Sequence, residues 1–315
     1  MPALYAYAPG KVILTGEHAV VYDQPAIAAP VNEVRARAAI EANPDAETGK
    51  VRIIAPDISL DTSLGDMPAD HPIATVFREV KQELGIDALP ALTLTVSSTI
   101  PIAAGLGSGA AISVAVSRAL SAFLGTPLSD ESVSRIAFET DHFYHGTPSG
   151  IDNTVISYAR LVFFTRGKPI EMLTNAQPFT LVIADSGEKS LTGKVVHGLR
   201  TRVEIDPQRY RPVLEKIGTI SQAARDAILE GDMVRLGILL SDNHFLLQQL
   251  GVSSTNLDQL VRIAHEAGAL GAKLSGAGSG GNMIALVKSM DAQQVASALL
   301  SAGAVNTIVT TVPRS

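Results

Sequence analysis

Apolar and polar positions alternate from Ala26 to Ile40, and again from Ala91 to Ser98, where Leu92, Leu94 and Val96 fall on one side. Period two predicts half-buried strands in both. Strands also fit Ala3 to Ala8 and Val51 to Ile54. From His71 to Leu84 the period lengthens, with Ile73, Val76, Phe77, Val80 and Leu84 at helical spacing and Gly85 as the stop. A helix is predicted from the glycine loop at Gly105 to Gly109 up to about Leu124. A second covers Ser129 to Tyr144, whose opening Ser-Asp-Glu-Ser supplies a cap and first-turn acids. Two strands are predicted next, around Val155 to Phe164 and Glu171 to Leu173.

The second half starts on the apolar strand Phe179 to Ala184 and continues in helices between Leu191 and Ala267, closed by Gly268. Short strands at Ala272 to Leu274 and Met283 to Val287 flank another glycine loop, and a helix at Ala292 to Ala302 precedes a final strand, Thr307 to Val312. This order predicts helices laid on a small sheet. The 315 residues suggest two domains, with the boundary near Pro178, giving 1–178 and 179–315.

Composition narrows the function classes. Hydrophobic residues at 46% and charged residues at 18% describe a globular chain rather than a disordered one. Tryptophan is absent and aromatics reach only 4%, so the core must be aliphatic and no stacking platform for single-stranded nucleic acid is expected. A net charge of −6 gives no general attraction for polyanions, so an anionic ligand needs local devices. The absence of cysteine removes disulfides, thiolate zinc sites and cysteine nucleophiles. No basic region followed by an apolar stretch opens the chain. The apolar segment Ile102 to Leu124 is interrupted by Arg118, serines and glycines, so neither export nor a membrane span is expected. A cytoplasmic location is expected.

Three segments carry chemistry. In Pro9 to His18, PGKVILTGEH, two glycines, a lysine, a glutamate and a histidine cluster straight after a strand; an exposed turn with solvated charges is the alternative. In Pro101 to Gly109, PIAAGLGSG, glycines precede a helix whose free amides and positive end favour a phosphate. This is no Walker A loop, since no Gly-Lys-Ser/Thr ends it. It does fit the dinucleotide pattern through Gly105, Gly107 and Ala110, but the following segment reads as a helix where a Rossmann unit needs a strand. A tightly packed helix start is the plain alternative. In Asp141 to Asp152, DHFYHGTPSGID, Asp141 and His145 share a helix face and the Gly-Thr-Pro-Ser-Gly turn redirects the chain at Asp152. A zinc site from His142, His145 and a carboxylate, or a helix end with polar caps, are the alternatives there. A fourth segment, KLSGAGSGG at Lys273 to Gly281, reads as a hairpin-like glycine loop suited to close approach of a ligand.

In this order and spacing the segments resemble the motifs of the superfamily of galactokinase, homoserine kinase, mevalonate kinase and phosphomevalonate kinase. PGKVILTGEHAVV, HGTPSGIDN, KLSGAGSGG and NHFLLQQLGVS at Asn243 to Ser253 are similar to the mevalonate kinases in particular. Sugar kinases of the superfamily place arginine where Lys11 stands, and homoserine kinases lack the catalytic aspartate. The resemblance implies an α+β fold of two domains, the N-terminal one like domain 2 of ribosomal protein S5 and the C-terminal one ferredoxin-like. It implies an ATP- and Mg²⁺-dependent kinase acting on the 5-hydroxyl of mevalonate, and a homodimer. Gly105, Leu106, Gly107, Ser108, Gly109 and Ala110 would hold the triphosphate, and Ser108 and Asp141 the metal. Asp152 would be the general base, with Lys11 beside it. Glu17, His18 and Thr192 would meet the substrate, and Gly276 and Ala277 would border both ligands.

Two positions depart from the family pattern. Gly109 stands where a second serine is usual, and Asp141 is one methylene shorter than the usual glutamate, so a water would bridge the lost metal contact. A kinase acting on phosphomevalonate or another mevalonate hydroxyl is the rival among enzymes, and a non-catalytic ligand-binding regulator of the same fold is the rival from another class.

Overall fold

The computed structural model describes residues 3–101, 104–145, 148–190 and 192–312. The chain divides into two compact units. The first comprises 1–10, 34–101 and 107–159, and the second comprises 11–33, 102–106 and 160–315. Strands β1 (Leu4–Thr15) and β2 (Ala26–Ala42) pair with one another, and each contributes residues to both units.

In the first unit β3 (Val51–Ala55) and β4 (Leu60–Ser63) form an antiparallel hairpin. A helix, α1 (Pro72–Leu84), then leads to β5 (Leu92–Ser98), which runs parallel to β3 and antiparallel to the later part of β2. The His71 ring caps α1 by accepting from the Ile73 N–H, and Gly85 ends it in a left-handed conformation, as the pattern predicts. Three more helices follow: α2 (Ser108–Phe123), α3 (Asp130–His145) and α4 (Ile151–Tyr158). They pack on one another through small and aliphatic residues such as Val114, Leu120, Ile136 and Val155, all fully buried, with Phe77 of α1 the bulkiest side chain in this aliphatic core.

The strand predicted from Val155 is a helix as far as Tyr158, and only β6 (Val162–Phe164) is extended. β-branched residues at 154–156 favour a strand locally, but tertiary anchors override that preference. Asn153 Nδ2 donates to the Ser134 carbonyl at 3.0 Å and to its hydroxyl at 2.9 Å, which draws the segment against α3. Thr154 then bonds back to the Gly150 carbonyl at 2.6 Å, as a helical threonine does. The hairpin strand β4 carries no sequence signal of comparable strength, and only the structure reveals it.

In the second unit β6 pairs with the start of β2, and β7 (Glu171–Met172) pairs with β6. Then come β8 (Phe179–Asp185), four helices α5 (Thr192–Ile205), α6 (Pro207–Glu230), α7 (Met233–Gln249) and α8 (Thr255–Glu266), β9 (Gly271–Ser275), β10 (Asn282–Val287), α9 (Ala292–Ser301) and β11 (Asn306–Val312). The sheet order is β11-β8-β10-β9, every pair antiparallel. Numbered within this four-stranded sheet the order is 4-1-3-2, the ferredoxin-like arrangement the resemblance implies. The sheet's core-facing positions are supplied by Val182, Ala184, Leu274, Met283 and Ala285, which close against Leu247, Leu260, Val295 and Leu299 of the helices.

Glycine matters most where α7 meets β9. A Cβ on Gly237 would lie 2.3 Å from the Leu270 carbonyl oxygen, and one on Gly271 would lie 2.0 Å from the Gly237 carbonyl oxygen. Helix and strand backbones therefore touch directly, which lays the next two turns of α7, with Asn243 and His244, along β9. No helix among the described residues is long and apolar enough to cross a membrane.

Candidate active site

In the first unit the phosphate-type site is made by backbone. Gly107 adopts a left-handed conformation (φ 77°) just before Ser108 and places no side-chain oxygen on the first amides of α2. The N–H groups of Ser108, Gly109 and Ala110 therefore open the positive end of a 16-residue helix, an arrangement that takes a phosphate. Gly105, which belongs to the second unit, has positive φ (81°), and a Cβ there would meet nothing within 4 Å, so its requirement is conformational rather than steric.

Helix α3 is joined to α2 one turn beyond this end. Thr140 Oγ1 donates to Ser113 Oγ at 2.7 Å, and Ser113 Oγ donates to the Gly109 carbonyl at 3.1 Å. The next residue, Asp141, is almost wholly buried. One carboxylate and one hydroxyl, Asp141 and Ser108, suit a Mg²⁺ whose other ligands are phosphate oxygens and waters. Among the described residues no group of three or more His, Cys, Asp and Glu could hold a metal unaided. His142 sits edge-on to Phe138 with ring centroids 5.1 Å apart, and the His145 side chain lies outside the described residues, as do Gly146 and Thr147.

Asp152 stands in the first turn of α4, behind Gly150 at φ 92°. Its helix is pinned at both ends. Asn153 holds the start to α3, and Arg118 of α2 donates to the Ser157 carbonyl at the other end while pairing with Asp130 at 2.6 Å.

The second unit collects the remaining candidates by long-range contacts. The Lys11 N–H donates to the Leu106 carbonyl at 3.0 Å, which ties β1 to the glycine loop, and the Lys11 side chain is buried. The turn after β1 needs Gly16, at φ 96°, since a Cβ would fall 2.4 Å from Ala26. Glu17 and His18 follow, both buried. His18 has positive φ (61°), unusual for a side chain of its size, and its Nε2 lies 2.8 Å from the Ala277 carbonyl, to which it donates. Burial lowers the His18 imidazole to about 4, with the bond to Ala277 opposing, so the ring is neutral at pH 7. Ser275 Oγ accepts from the Ile13 N–H at 3.0 Å and donates to the Ile13 carbonyl at 3.1 Å, clamping β9 to β1.

The loop of Gly276 to Gly281 is shaped by backbone contact. A Cβ on Gly278 would strike the Val252 carbonyl oxygen and one on Gly280 the Glu188 carbonyl oxygen. The N–H groups of Ser279 and Gly281 donate to those same two oxygens, each at 2.7 Å. Asn282 reaches from β10 to the Ala104 carbonyl. Thus the structure joins Lys11 to Leu106 and His18 to Ala277, while Thr192 starts α5 half-buried and without a hydrogen bond to Glu17 or His18.

Lys273, Asn243 and His244 open two of the motifs that carry the resemblance but are given no role of their own in the sequence reading, and the structure places them here. Lys273 Nζ pairs with Glu17 Oε1. Asn243 Oδ1 accepts from the Gly16 N–H at 3.4 Å, and His244 Nδ1 accepts from the Leu274 N–H at 3.3 Å. Asp258 Oδ1 is 3.1 Å from His244 Nε2, but burial outweighs it and lowers the imidazole to about 4. One signal for Lys273 was present: a lysine inside the apolar strand Ala272 to Leu274 demands a counter-charge.

Comparison with known proteins shows the family. Residues 71–160 match the GHMP kinases N terminal domain and residues 224–305 the GHMP kinases C terminal domain. The chain is 38% identical to the mevalonate kinase of Pyrococcus furiosus over 317 aligned positions, which cover 95% of this chain and 93% of the relative. Among solved structures, the L. major mevalonate kinase in complex with R-mevalonate superposes with a TM-score of 0.83 at 30% identity, covering 100% of this chain and 97% of the other. The Streptococcus pneumoniae phosphomevalonate kinase in complex with phosphomevalonate and AMPPNP reaches the same TM-score at 17% identity, covering 98% and 100%, which shows a common fold alone. The chain belongs to the GHMP kinases and, within them, to the mevalonate kinases.

Proposed function

We propose that the chain transfers the γ-phosphate of ATP to the 5-hydroxyl of mevalonate, releasing ADP and 5-phosphomevalonate. The observation that carries this is the likeness to a mevalonate kinase at 38% identity over 95% of the chain. In this reading the N–H groups of Ser108, Gly109 and Ala110, with Gly105, Leu106 and Gly107, hold the triphosphate. Ser108 and Asp141 would hold Mg²⁺, which supplies neutralisation of the charge on the transferring phosphate. Asp152 accepts the proton of the substrate hydroxyl, and the Lys11 ammonium stabilises negative charge that develops in the transfer. Glu17, His18, Thr192, Gly276 and Ala277 contact substrate. The neutral state of His18 suits a hydrogen-bonding contact rather than an ionic one.

Domains at 1–178 and 179–315 belong to this proposal, supported by family matches that fall on either side of Pro178. So do a cytoplasmic location and a homodimer. For the latter, Val234, Ile238 and Phe245 are exposed along α7, and a hollow of 340 Å³ at Phe245 is lined also by Lys216 and Asp242, opposite charges able to pair across a twofold axis.

Turnover measured with mevalonate, 5-phosphomevalonate, homoserine and galactose tests the assignment. Mevalonate is expected to give the highest kcat/KM. A preference for any other of about tenfold, or 1.4 kcal/mol, would overturn it.

A further inference from the structure

Glu17 and Lys273 are 256 residues apart in sequence, and their side chains are 1% and 0% exposed. Lys273 Nζ donates to Glu17 Oε1 and, at 2.6 Å, to the Leu274 carbonyl. The other carboxylate oxygen, Glu17 Oε2, has no hydrogen-bond partner among the described residues. Leaving a buried acceptor unmade is expensive, and a ligand or an ordered water is the usual remedy. Thr15 Oγ1 and Asn243 Nδ2, on residues flanking the same turn, are buried and likewise without partners among the described residues. The turn thus carries unused hydrogen-bonding capacity on three side chains.

A purely structural clamp does not account for the pair. The two bonds of Ser275 to Ile13 already fasten β9 to β1, and the bond of His18 to Ala277 fastens the loop. A buried ion pair is often no more stabilising than apolar residues of the same volume, so a clamp here has no need of charge. A charge that orients a neighbour for an outside ligand does.

We infer that Lys273 is a positioning residue: from β9 it fixes Glu17 Oε1 and so presents Oε2 as an acceptor to a hydroxyl of the substrate. This rests on the proposed contact between Glu17 and substrate. Electrostatics supports it. Burial pushes the Glu17 carboxyl up, and the Lys273 ammonium is the largest influence holding it down; Lys11, from β1, acts the same way more weakly. His18, the next residue, is neutral at pH 7, and Arg202 of α5 acts on that ring. Without Lys273, burial of Glu17 is opposed by a backbone hydrogen bond at Glu17 and, more weakly, by Lys11, and the carboxyl keeps its proton to higher pH. A protonated Glu17 no longer offers the same acceptor.

Lys273→Met removes the ammonium and leaves an unbranched stem. The expected result is a fall of about 30-fold in kcat/KM for mevalonate at pH 7, carried by KM, with the KM for ATP within about twofold of wild type. The deficit should shrink as pH rises from 6 to 9, because Glu17 regains its charge. A merely structural role lowers the folded fraction but leaves the pH profile of mevalonate KM parallel to wild type, and parallel profiles would overturn the inference. Lys273→Gln, which keeps a neutral donor, undergoes the same measurement if the methionine variant does not fold. Glu17→Gln separates the inference from the contact on which it rests. Unchanged mevalonate KM in that variant removes the contact and the inference together. Raised KM there, with a parallel profile for the Lys273 variant, leaves the contact standing and removes the positioning role alone. The double variant Glu17→Gln/Lys273→Met has no carboxylate to hold and should be no weaker than Glu17→Gln; additive losses would count against the inference.

Discussion

The two units place their chemistry by different means. In the first, each candidate group belongs to a helix and its position follows from contacts close in the chain: Gly107 opens the end of α2, and Gly150, with the bond of Asn153 to Ser134 19 residues away, sets Asp152 in the first turn of α4. In the second, Glu17 depends on Lys273, His18 on Ala277 and Gly16 on Asn243, contacts that span 227 to 259 residues of chain. The first unit is thus expected to fail by loss of a reacting group, leaving its scaffold in place. The second is expected to fail through packing, because its groups are aimed by one another.

The largest expected effect is in the first unit. Asp152→Asn preserves shape and should bind ATP and mevalonate nearly as wild type, yet turn over about 10² to 10⁴ times more slowly, since the lost proton acceptor acts mainly in the transition state. Single-turnover phosphoryl transfer together with thermal unfolding checks this. If Asp152 serves only α4, the variant should instead lose about 1 kcal/mol of stability with turnover per folded molecule intact. That result would also break the comparison, making the first unit's carboxylate structural.

A smaller effect, of the opposite character, is expected at His244. Its folded pKa lies near 4 against an ordinary value of 6.5, so between those pH values the unfolded chain binds the extra proton. The stability it contributes is therefore whole above pH 6.5 and is lost as pH falls towards 4, by about 3 kcal/mol. His244→Gln lacks this titration. Urea unfolding at pH 7 and pH 4.5 should show the variant less stable than wild type at neutral pH and the gap narrowing or reversing in acid. A constant gap would mean that His244 does not titrate as a buried neutral imidazole.

The smallest effect tests packing without altering any polar side chain. Gly237→Ala forces a methyl onto the Leu270 carbonyl oxygen and should cost about 1–3 kcal/mol. Because α7 carries Asn243 onto Gly16, the same change should raise mevalonate KM while leaving the KM for ATP unchanged. Urea unfolding and steady-state kinetics on one preparation measure both. Loss of stability with both KM values unmoved would show that the close approach of α7 and β9 serves the fold alone.

Much of this was legible before the structure. Helix α1 announced itself by period and by Gly85, the strands β2 and β5 by alternation, and the glycine loop by its position before an apolar helix. These signals are local: a repeat of 3.6 or 2 reflects which side of one element is buried, and a glycine with positive φ answers to its own backbone. The failure at Val155 has the same origin. Local preference favoured a strand, but the side chain that decided the matter, Asn153, finds its partner 19 residues away on Ser134.

By itself the amino-acid sequence determined the α+β class, the glycine loops, the absence of thiol chemistry and the candidates Lys11, Ser108, Asp141 and Asp152. The tertiary structure alone decided that Lys273 is wholly buried against Glu17, that two glycines bring α7 onto β9, and that Asn243 and His244 support the turn and strand beside them. The reason is physical: a side chain's type and period record its immediate surroundings, whereas a buried charge acquires its meaning from a counter-charge that chain folding alone brings within reach.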